Sequence, residues 1–367
     1  MAKKAESLLI HLPRVLIIGV HAPYNRTKSI ESYYEEFRNL VKTNGTIYKD
    51  ELYIKLRSID PARFFTKGKL QEMREYCEKN QIKELIISEQ LSGIQERNLE
   101  DELDVTVFDR TRLILEIFEK SAHTAEGKLQ VKIAMLNYQK TRLTGKGINL
   151  SQQAGIIGIS GGPGETLKEK ETRVINDIII KYKRQLERLQ QARHTQRKQR
   201  LINKVPHICI IGYTNAGKST LLNTLTRSDV LAENKLFATL DTTTRELYID
   251  KKKKGVISDT VGFIQQLPHH LINAFKSTLS ELEYADILLQ VIDASDPNWE
   301  SHIAVVQTIL NDLKVEKQMV YVFNKIDAGT DLDEAAWHKY QPHVAISAKT
   351  KEGVAPLIAF LSEWQPS

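Results

Sequence analysis

Cysteine is nearly absent from this chain, with only Cys77 and Cys209 among 367 residues. Two cysteines cannot build a disulfide framework, and no Cys-x-x-Cys spacing exists for zinc. A reducing, cytoplasmic address fits such usage. Cys209 lies in the apolar run His207-Ile208-Cys209-Ile210-Ile211 and reads as a small buried hydrophobe. Long hydrophobic runs are also missing. No stretch approaches the roughly 18 residues that cross a bilayer, so no stable membrane insertion is expected. The apolar part of the N-terminus, Leu8 to Leu12, is short and holds His11, which makes a poor signal peptide. No lipidation motif or amphipathic anchor is present. Neither sign of charge dominates: a net +6 permits an anionic partner without demanding one. The length suggests roughly two or three domains.

What is present first is alternation. From Arg14 to about Arg110, short apolar runs (Val15–Ile18, Ile47–Leu56, Leu85–Ser88, Val105–Phe108) alternate with helical patterns over Ser29–Val41, Gly68–Asn80 and Ser92–Leu103. Such alternation predicts a small α/β layer. From Thr111 the pattern turns helical. Leu129, Ile133, Leu136 and Leu143, then Ile175, Ile179, Tyr182, Leu186 and Leu189, fall at heptad spacings and predict two long helices in an antiparallel hairpin. Between them, residues 155–165 hold five glycines and a proline, which excludes helix interior and predicts a tip loop. From Lys181 to Lys204 there are nine Lys/Arg against one acid, Glu187. That run is either a solvated helix face or a phosphate-contacting stripe. Val205-Pro206 ends it.

The second half carries four motifs, each at a strand end. Ile208–Ile211 leads into Gly212-Tyr213-Thr214-Asn215-Ala216-Gly217-Lys218-Ser219, then Thr220 and an apolar helix. This is G-x4-G-K-S in strand–loop–helix context, where backbone amides and the helix dipole cradle phosphates. Lys218 is expected on the β- and γ-phosphates and Ser219 on Mg²⁺. Asp259-Thr260-Val261-Gly262 closes a second strand; Asp259 is expected to hold Mg²⁺ through water, and the Gly262 amide to approach the γ-phosphate. Asn324-Lys325-Ile326-Asp327 selects the base, because the Asp327 carboxylate can accept both guanine N1–H and N2–H₂, and adenine presents no such pair. Ser347-Ala348-Lys349 follows another strand and offers the Ala348 amide to guanine O6. A mobile threonine must also reach the metal and the γ-phosphate, and Thr239 and Thr243 both qualify on spacing. Lys251 to Lys254 read as a solvated hairpin tip. Together these predict a Mg²⁺-dependent GTPase that alternates between GTP and GDP.

In Ras-like enzymes a glutamine after the D-x-x-G glycine orients the attacking water. Here Phe263 stands there, which predicts slow hydrolysis unless Gln265 or Gln266 swings in or a partner assists.

Phe237-Ala238-Thr239-Leu240-Asp241, Asp259 to Ile264 and Leu267-Pro268-His269, with Asp109-Arg110-Thr111, Leu113 to Phe118, Glu126 to Val131 and Gly162-Pro163-Gly164-Glu165-Thr166, resemble the HflX family of ribosome-associated GTPases. The resemblance spans about Arg14 to Leu361. It implies that Thr239 is the metal-binding threonine, and that residues 237–241 contribute to the GTP site. It implies an N-terminal region that binds the large ribosomal subunit and its rRNA, with roles in splitting or rescuing stalled ribosomes. Two departures stand out. Ser160-Gly161-Gly162 replaces an arginine the family carries before Gly-Pro-Gly-Glu, and the chain stops soon after Leu361, so contacts made by a C-terminal extension are not expected. The glycine loop lacks the strand–helix context of a nucleotide motif, leaving ATP binding by the N-terminal half open, and reads as an RNA contact rather than a bare linker.

The expected architecture is α/β. An N-terminal α/β subdomain (1–110) precedes a helical hairpin with a Gly-rich tip (111–203). A P-loop GTPase domain (204–367) follows, with a mostly parallel sheet and helices on both faces. The expected oligomeric state is a monomer.

Overall fold

The structure is a computed structural model that describes residues 13–25, 27, 29–143, 167–226, 236–237, 240, 242–268, 271, 281–328 and 334–366. The chain divides into two compact units: residues 1–117 with 132–182, and residues 118–131 with 183–367.

In the first unit the apolar runs become a four-stranded parallel sheet of order β2-β1-β3-β4. The strands are β1 (Val15–His21), β2 (Asp50–Lys55), β3 (Glu84–Ile87) and β4 (Thr106–Phe108). Helices α1 (Ile30–Thr43), α2 (Lys67–Asn80) and α3 (Gly93–Leu103) connect them. Two of them start where the sequence supplies a side-chain cap: Ser29 accepts from the Ser32 amide, and Ser92 forms a reciprocal capping box with Gln95. One face of the sheet buries Leu16, Ile18, Val20, Leu85, Ile87 and Val107 against α2 and α3 residues such as Leu70, Met73 and Leu99. The second strand is shorter than the predicted 47–56. Ile47 is 59% exposed, so that end of the apolar run does not enter the sheet.

Helices α4 (Arg110–Ser121), α5 (Ala125–Leu143) and α6 (Leu167–Ile202) follow. The Asp109-Arg110-Thr111 motif turns out to be a buried anchor. Asp109 is fully buried and accepts from the Leu91 and Arg112 amides at 3.1 and 2.8 Å, from the Tyr138 hydroxyl at 3.0 Å and from Arg142 Nη2 at 2.7 Å. Arg110, also buried, pairs with Glu36 at 2.5 Å and lies over the Tyr33 ring. Four donors around one carboxylate satisfy a charge that would otherwise be costly to bury.

The heptad reading of α5 and α6 requires correction in its details. On α5, Ile133 is buried while Leu129, Leu136 and Leu143 are half-buried; the fully covered positions also include Glu126, Gln130 and Tyr138. On α6, Ile179 is buried and Leu189 is exposed. The buried face of α5 is thus partly polar, which a count of apolar residues misses. Lys140 donates to Asn176 at 2.9 Å, and Lys132 lies over the Tyr182 ring. The glycine-rich segment 155–165 is outside the described residues.

The second unit holds a six-stranded sheet of order β10-β9-β8-β5-β7-β6. Its strands are β5 (His207–Gly212), β6 (Thr244–Ile249), β7 (Lys252–Asp259), β8 (Ile287–Asp293), β9 (Gln318–Asn324) and β10 (His343–Ala345). All neighbours are parallel except β6 and β7. Lys251 sits in the turn of that antiparallel pair, while Lys252–Lys254 continue as strand β7 rather than as a loop. Helices α7 (Lys218–Thr226), α8 (Trp299–Asp312), α9 (Glu334–Trp337) and α10 (Ala355–Glu363) complete the described elements. Alternate residues of β5 pack on opposite faces: Ile208 and Ile210 join Leu221, Leu222 and Leu357, while Cys209 and Ile211 join Phe263, Val306 and Leu310. Cys209 is therefore a core residue, its thiol pushed up to about 12 by burial. No helix among the described residues is long and apolar enough to cross a membrane.

Candidate functional site

The phosphate loop leaves β5 and enters α7, as the strand–loop–helix spacing requires. Two glycines close it. Gly212 has φ +146, and a Cβ there would fall 2.3 Å from the Val291 carbonyl oxygen; Gly217 has φ +94, and its Cβ would fall 2.3 Å from Asn324 Nδ2. Neither position admits a side chain. Asn215 is exposed at φ +62. Ala216 is buried and Thr220 half-buried at the helix start. Thr214 is buried, and its Oγ1 has no hydrogen-bond partner among the described residues. A phosphate oxygen satisfies such a hydroxyl.

Lys218 is buried and donates from Nζ to the Tyr213 carbonyl at 2.8 Å. Desolvation lowers its pKa to about 8, with Asp259 pulling the other way. Asp259, at the end of β7, is fully buried and accepts from Ser219 Oγ at 2.7 Å. Its other oxygen accepts from the Thr260 amide at 2.8 Å, and Thr260 Oγ1 donates to the Ile210 carbonyl. Val261 is buried next to them. Hydroxyl and carboxylate stand side by side as two hard oxygen donors, which suits Mg²⁺. No group of three His, Cys, Asp or Glu among the described residues can hold a metal by itself. The remaining ligands of such an ion are then phosphate oxygens and water, as is usual for Mg²⁺.

Gly262 packs against this pair. A Cβ there would lie 2.7 Å from Thr214 Cγ2 and 2.9 Å from Lys218 Nζ. Phe263 donates its amide to the Gly212 carbonyl at 3.1 Å, and its carbonyl accepts from the Thr214 amide at 2.8 Å. Its ring is turned into the core, 1% exposed among Cys209, Leu282 and Leu288. The Phe263 side chain therefore does not face the phosphate loop, to which its main chain is bound. The Gln265 amide donates to the Tyr213 hydroxyl at 2.9 Å.

At the base end, Asn324 closes β9. Its Nδ2 donates to the Ala216 carbonyl at 2.8 Å, and its Oδ1 accepts from the Ala348 amide at 2.9 Å. The amide expected at guanine O6 is thus engaged by Asn324 in this structure. Ala348 is fixed further by Thr224 Oγ1, which donates to its carbonyl at 2.7 Å. Lys325 has φ +64 and pairs with Asp293 at 2.6 Å. The Ile326 amide donates to the Ile346 carbonyl at 3.3 Å. Asp327 accepts from Lys349 Nζ at 2.6 Å and Ser347 Oγ at 2.8 Å, hydrogen bonds that hold its carboxyl below the usual range.

Of the switch segment, Phe237 and Leu240 are buried, and the Phe237 ring meets the edge of Phe118 at 4.7 Å within the second unit. Ala238, Thr239 and Asp241 are outside the described residues. The Thr243 carbonyl accepts the Asp259 amide at 3.1 Å, which ties that threonine's backbone to the sheet.

Sequence reasoning missed Asp293 and Tyr213's side chain. An acid ending the apolar strand Ile287–Ile292 was a legible signal for the former. Nothing local announced the latter.

Three family models match in chain order: GTP-binding GTPase N-terminal over residues 31–119, GTP-binding GTPase Middle Region over 121–200, and 50S ribosome-binding GTPase over 207–325. A GTPase HflX of Caldanaerobacter subterraneus subsp. tengcongensis is 44% identical over 89% of this chain and 76% of its own length. A GTPase HflX of Escherichia coli K12 is 38% identical over 94% of this chain and 81% of its own length. The crystal structure of SsGBP in complex with GDP superposes with a TM-score of 0.51 at 25% identity, covering 95% of this chain and 97% of that one.

Proposed function

The chain belongs to the GTPase HflX family and is a GTP hydrolase; from that premise we propose that it is a Mg²⁺-dependent switch, read and triggered by the large ribosomal subunit. GTP lies along the C-terminal edge of the second unit's sheet. Lys218 and the phosphate-loop amides hold the β- and γ-phosphates. Ser219, Thr239 and, through water, Asp259 hold Mg²⁺, which neutralises charge on the phosphates when bound. Asp327 accepts the guanine N–H groups in place of Ser347 and Lys349. Gly262 and Thr239 meet the γ-phosphate and are released after hydrolysis.

The observation that carries this reading is the burial of Phe263. No side chain at that position can orient the attacking water, so the free protein turns over slowly and the ribosome completes the site. Assisted and intrinsic rates in such systems differ by about 10³ to 10⁵. The 50S ribosome-binding description of the matched nucleotide-domain model supports the partner. The exposed Lys181, Lys183, Arg184 and Arg188 on α6 support contact with rRNA phosphates. The proposed setting is the cytoplasm, as a monomer, in splitting or rescue of stalled ribosomes.

Turnover is to be measured with and without ribosomal subunits, alongside cosedimentation with each subunit in GDP and in a non-hydrolysable GTP analogue. The expected result is strong stimulation by the large subunit and tighter binding in the analogue. Fast hydrolysis by the protein alone, or equal ribosome affinity in both nucleotides, removes the proposal.

A further inference from the structure

Within the phosphate loop, Tyr213 is the residue whose side chain reaches out of it. Its backbone serves the loop, since the carbonyl holds Lys218 Nζ at 2.8 Å. Its ring leaves in another direction and stacks on His302 of α8, centroids 3.8 Å apart and planes 10° from parallel. Both rings are buried, each about 7% exposed. The hydroxyl at the far end of the ring accepts the Gln265 amide at 2.9 Å.

Gln265 lies three residues beyond Gly262, and the stretch between them is tied to the phosphate loop twice more. The Phe263 amide binds the Gly212 carbonyl, and the Phe263 carbonyl binds the Thr214 amide. These two are main-chain bonds that any sequence can make. The third needs a phenol of this length at this position. Together the three ties set where the Gly262 amide stands relative to Lys218, against which Gly262 already packs closely. That amide has work to do only when a γ-phosphate is present. Lys218 and the loop amides, by contrast, serve the β-phosphate in either nucleotide.

We propose that Tyr213 is a positioning residue for the γ-phosphate. Its hydroxyl sets the loop carrying Gly262, and His302 clamps the ring that carries the hydroxyl. The pair thereby contributes to telling GTP from GDP without touching either nucleotide through its side chain. Two aromatic planes at this separation fix the ring's direction, and a hydroxyl on a fixed ring is a preorganised acceptor.

The experiment compares affinities for GDP and for a non-hydrolysable GTP analogue, by calorimetry with Mg²⁺, in the full-length protein. Tyr213→Phe keeps the stack and removes only the hydroxyl. The expected result is a loss of about three- to tenfold in analogue affinity, the scale of one neutral hydrogen bond, with GDP affinity unchanged within about twofold. His302→Phe preserves a stacking partner and keeps the wild-type ratio, and His302→Ala lowers it. Thermal melting separates folding defects from these effects. If Tyr213→Phe does not fold, the two His302 variants decide on the same ratio. An analogue-to-GDP ratio that stays at the wild-type value, whether both affinities hold or fall together, overturns the proposal and leaves Tyr213 a packing residue.

Discussion

Asn324 Nδ2 lies 2.8 Å from the carbonyl oxygen of Ala216, while its Oδ1 takes the Ala348 amide at 2.9 Å. One side chain thus ties the phosphate loop to the Ser347-Ala348-Lys349 loop. Asn324→Asp keeps the size but turns the donor into a second acceptor facing a carbonyl. The expected outcome is a fall of at least about tenfold in affinity for both GDP and GTP, since a charged group is left opposed to a backbone oxygen. Fluorescent-nucleotide titration checks it.

Asp327 gives a prediction about the base. In the empty site Lys349 and Ser347 hold its carboxyl below the usual range; in the proposed function guanine N1–H and N2–H₂ take their place. Asp327→Asn replaces one acceptor by a donor. Affinity for GTP is expected to drop by about 10² or more, and xanthosine triphosphate, with an oxygen at position 2, is expected to bind the variant better than GTP does. Competition between the two nucleotides reads this directly.

Lys218 makes nucleotide binding pH-dependent. Burial lowers its pKa from 10.5 to about 8 in the empty site. Bound phosphates favour the charged form and raise the value again. Binding therefore takes up protons near pH 8 to 9, and affinity falls as pH rises through about 8. Calorimetry in buffers of different ionisation enthalpy is expected to show that uptake. The sign for folding is opposite: the unfolded chain keeps this proton up to about 10.5, so stability of the empty protein from this group rises between about pH 8 and 10.5.

In the first unit, Asp109 collects Arg142, Tyr138 and two amides with no exposure to solvent. Asp109→Ala leaves the Arg142 guanidinium with one half-buried carboxylate neighbour among the described residues, Glu96 at 3.0 Å. A loss of about 3 to 5 kcal/mol is expected, the usual cost of breaking a buried pair from one side. Urea denaturation followed by circular dichroism measures it, and a change below about 1 kcal/mol contradicts the anchor role.

Legibility in the sequence followed how local each cause is. The strands of both units could be read because buried parallel strands are continuous apolar runs, as at Val15–Ile18 and Ile208–Ile211. The four nucleotide motifs were readable because each is a short segment in which strand, turn and helix follow directly. The α5 face was not, because Glu126, Gln130 and Tyr138 are buried there although polar: the Tyr138 hydroxyl is held by Glu96 and Asp109, while the Gln130 amide has no hydrogen-bond partner among the described residues. Asp109 resembled a family signature before any cause for it was visible; the cause is four donors drawn from three separate segments. The Tyr213–His302 stack joins residues far apart in sequence, and no local pattern records it.

In the second unit's strand order, β9 and β10 lie to one side of β5 and β7 to the other, with β8 between β9 and β5. In the proposed function, recognition of the base and handling of the phosphates are mounted at different strands of one sheet, joined across the gap by the Asn324 carboxamide. Mutations that redirect the chain toward another purine can accumulate around Asp327 without disturbing Ser219, Asp259 or Lys218. Outside Asn324, which couples the two ends, an altered specificity then does not require rebuilding the chemistry.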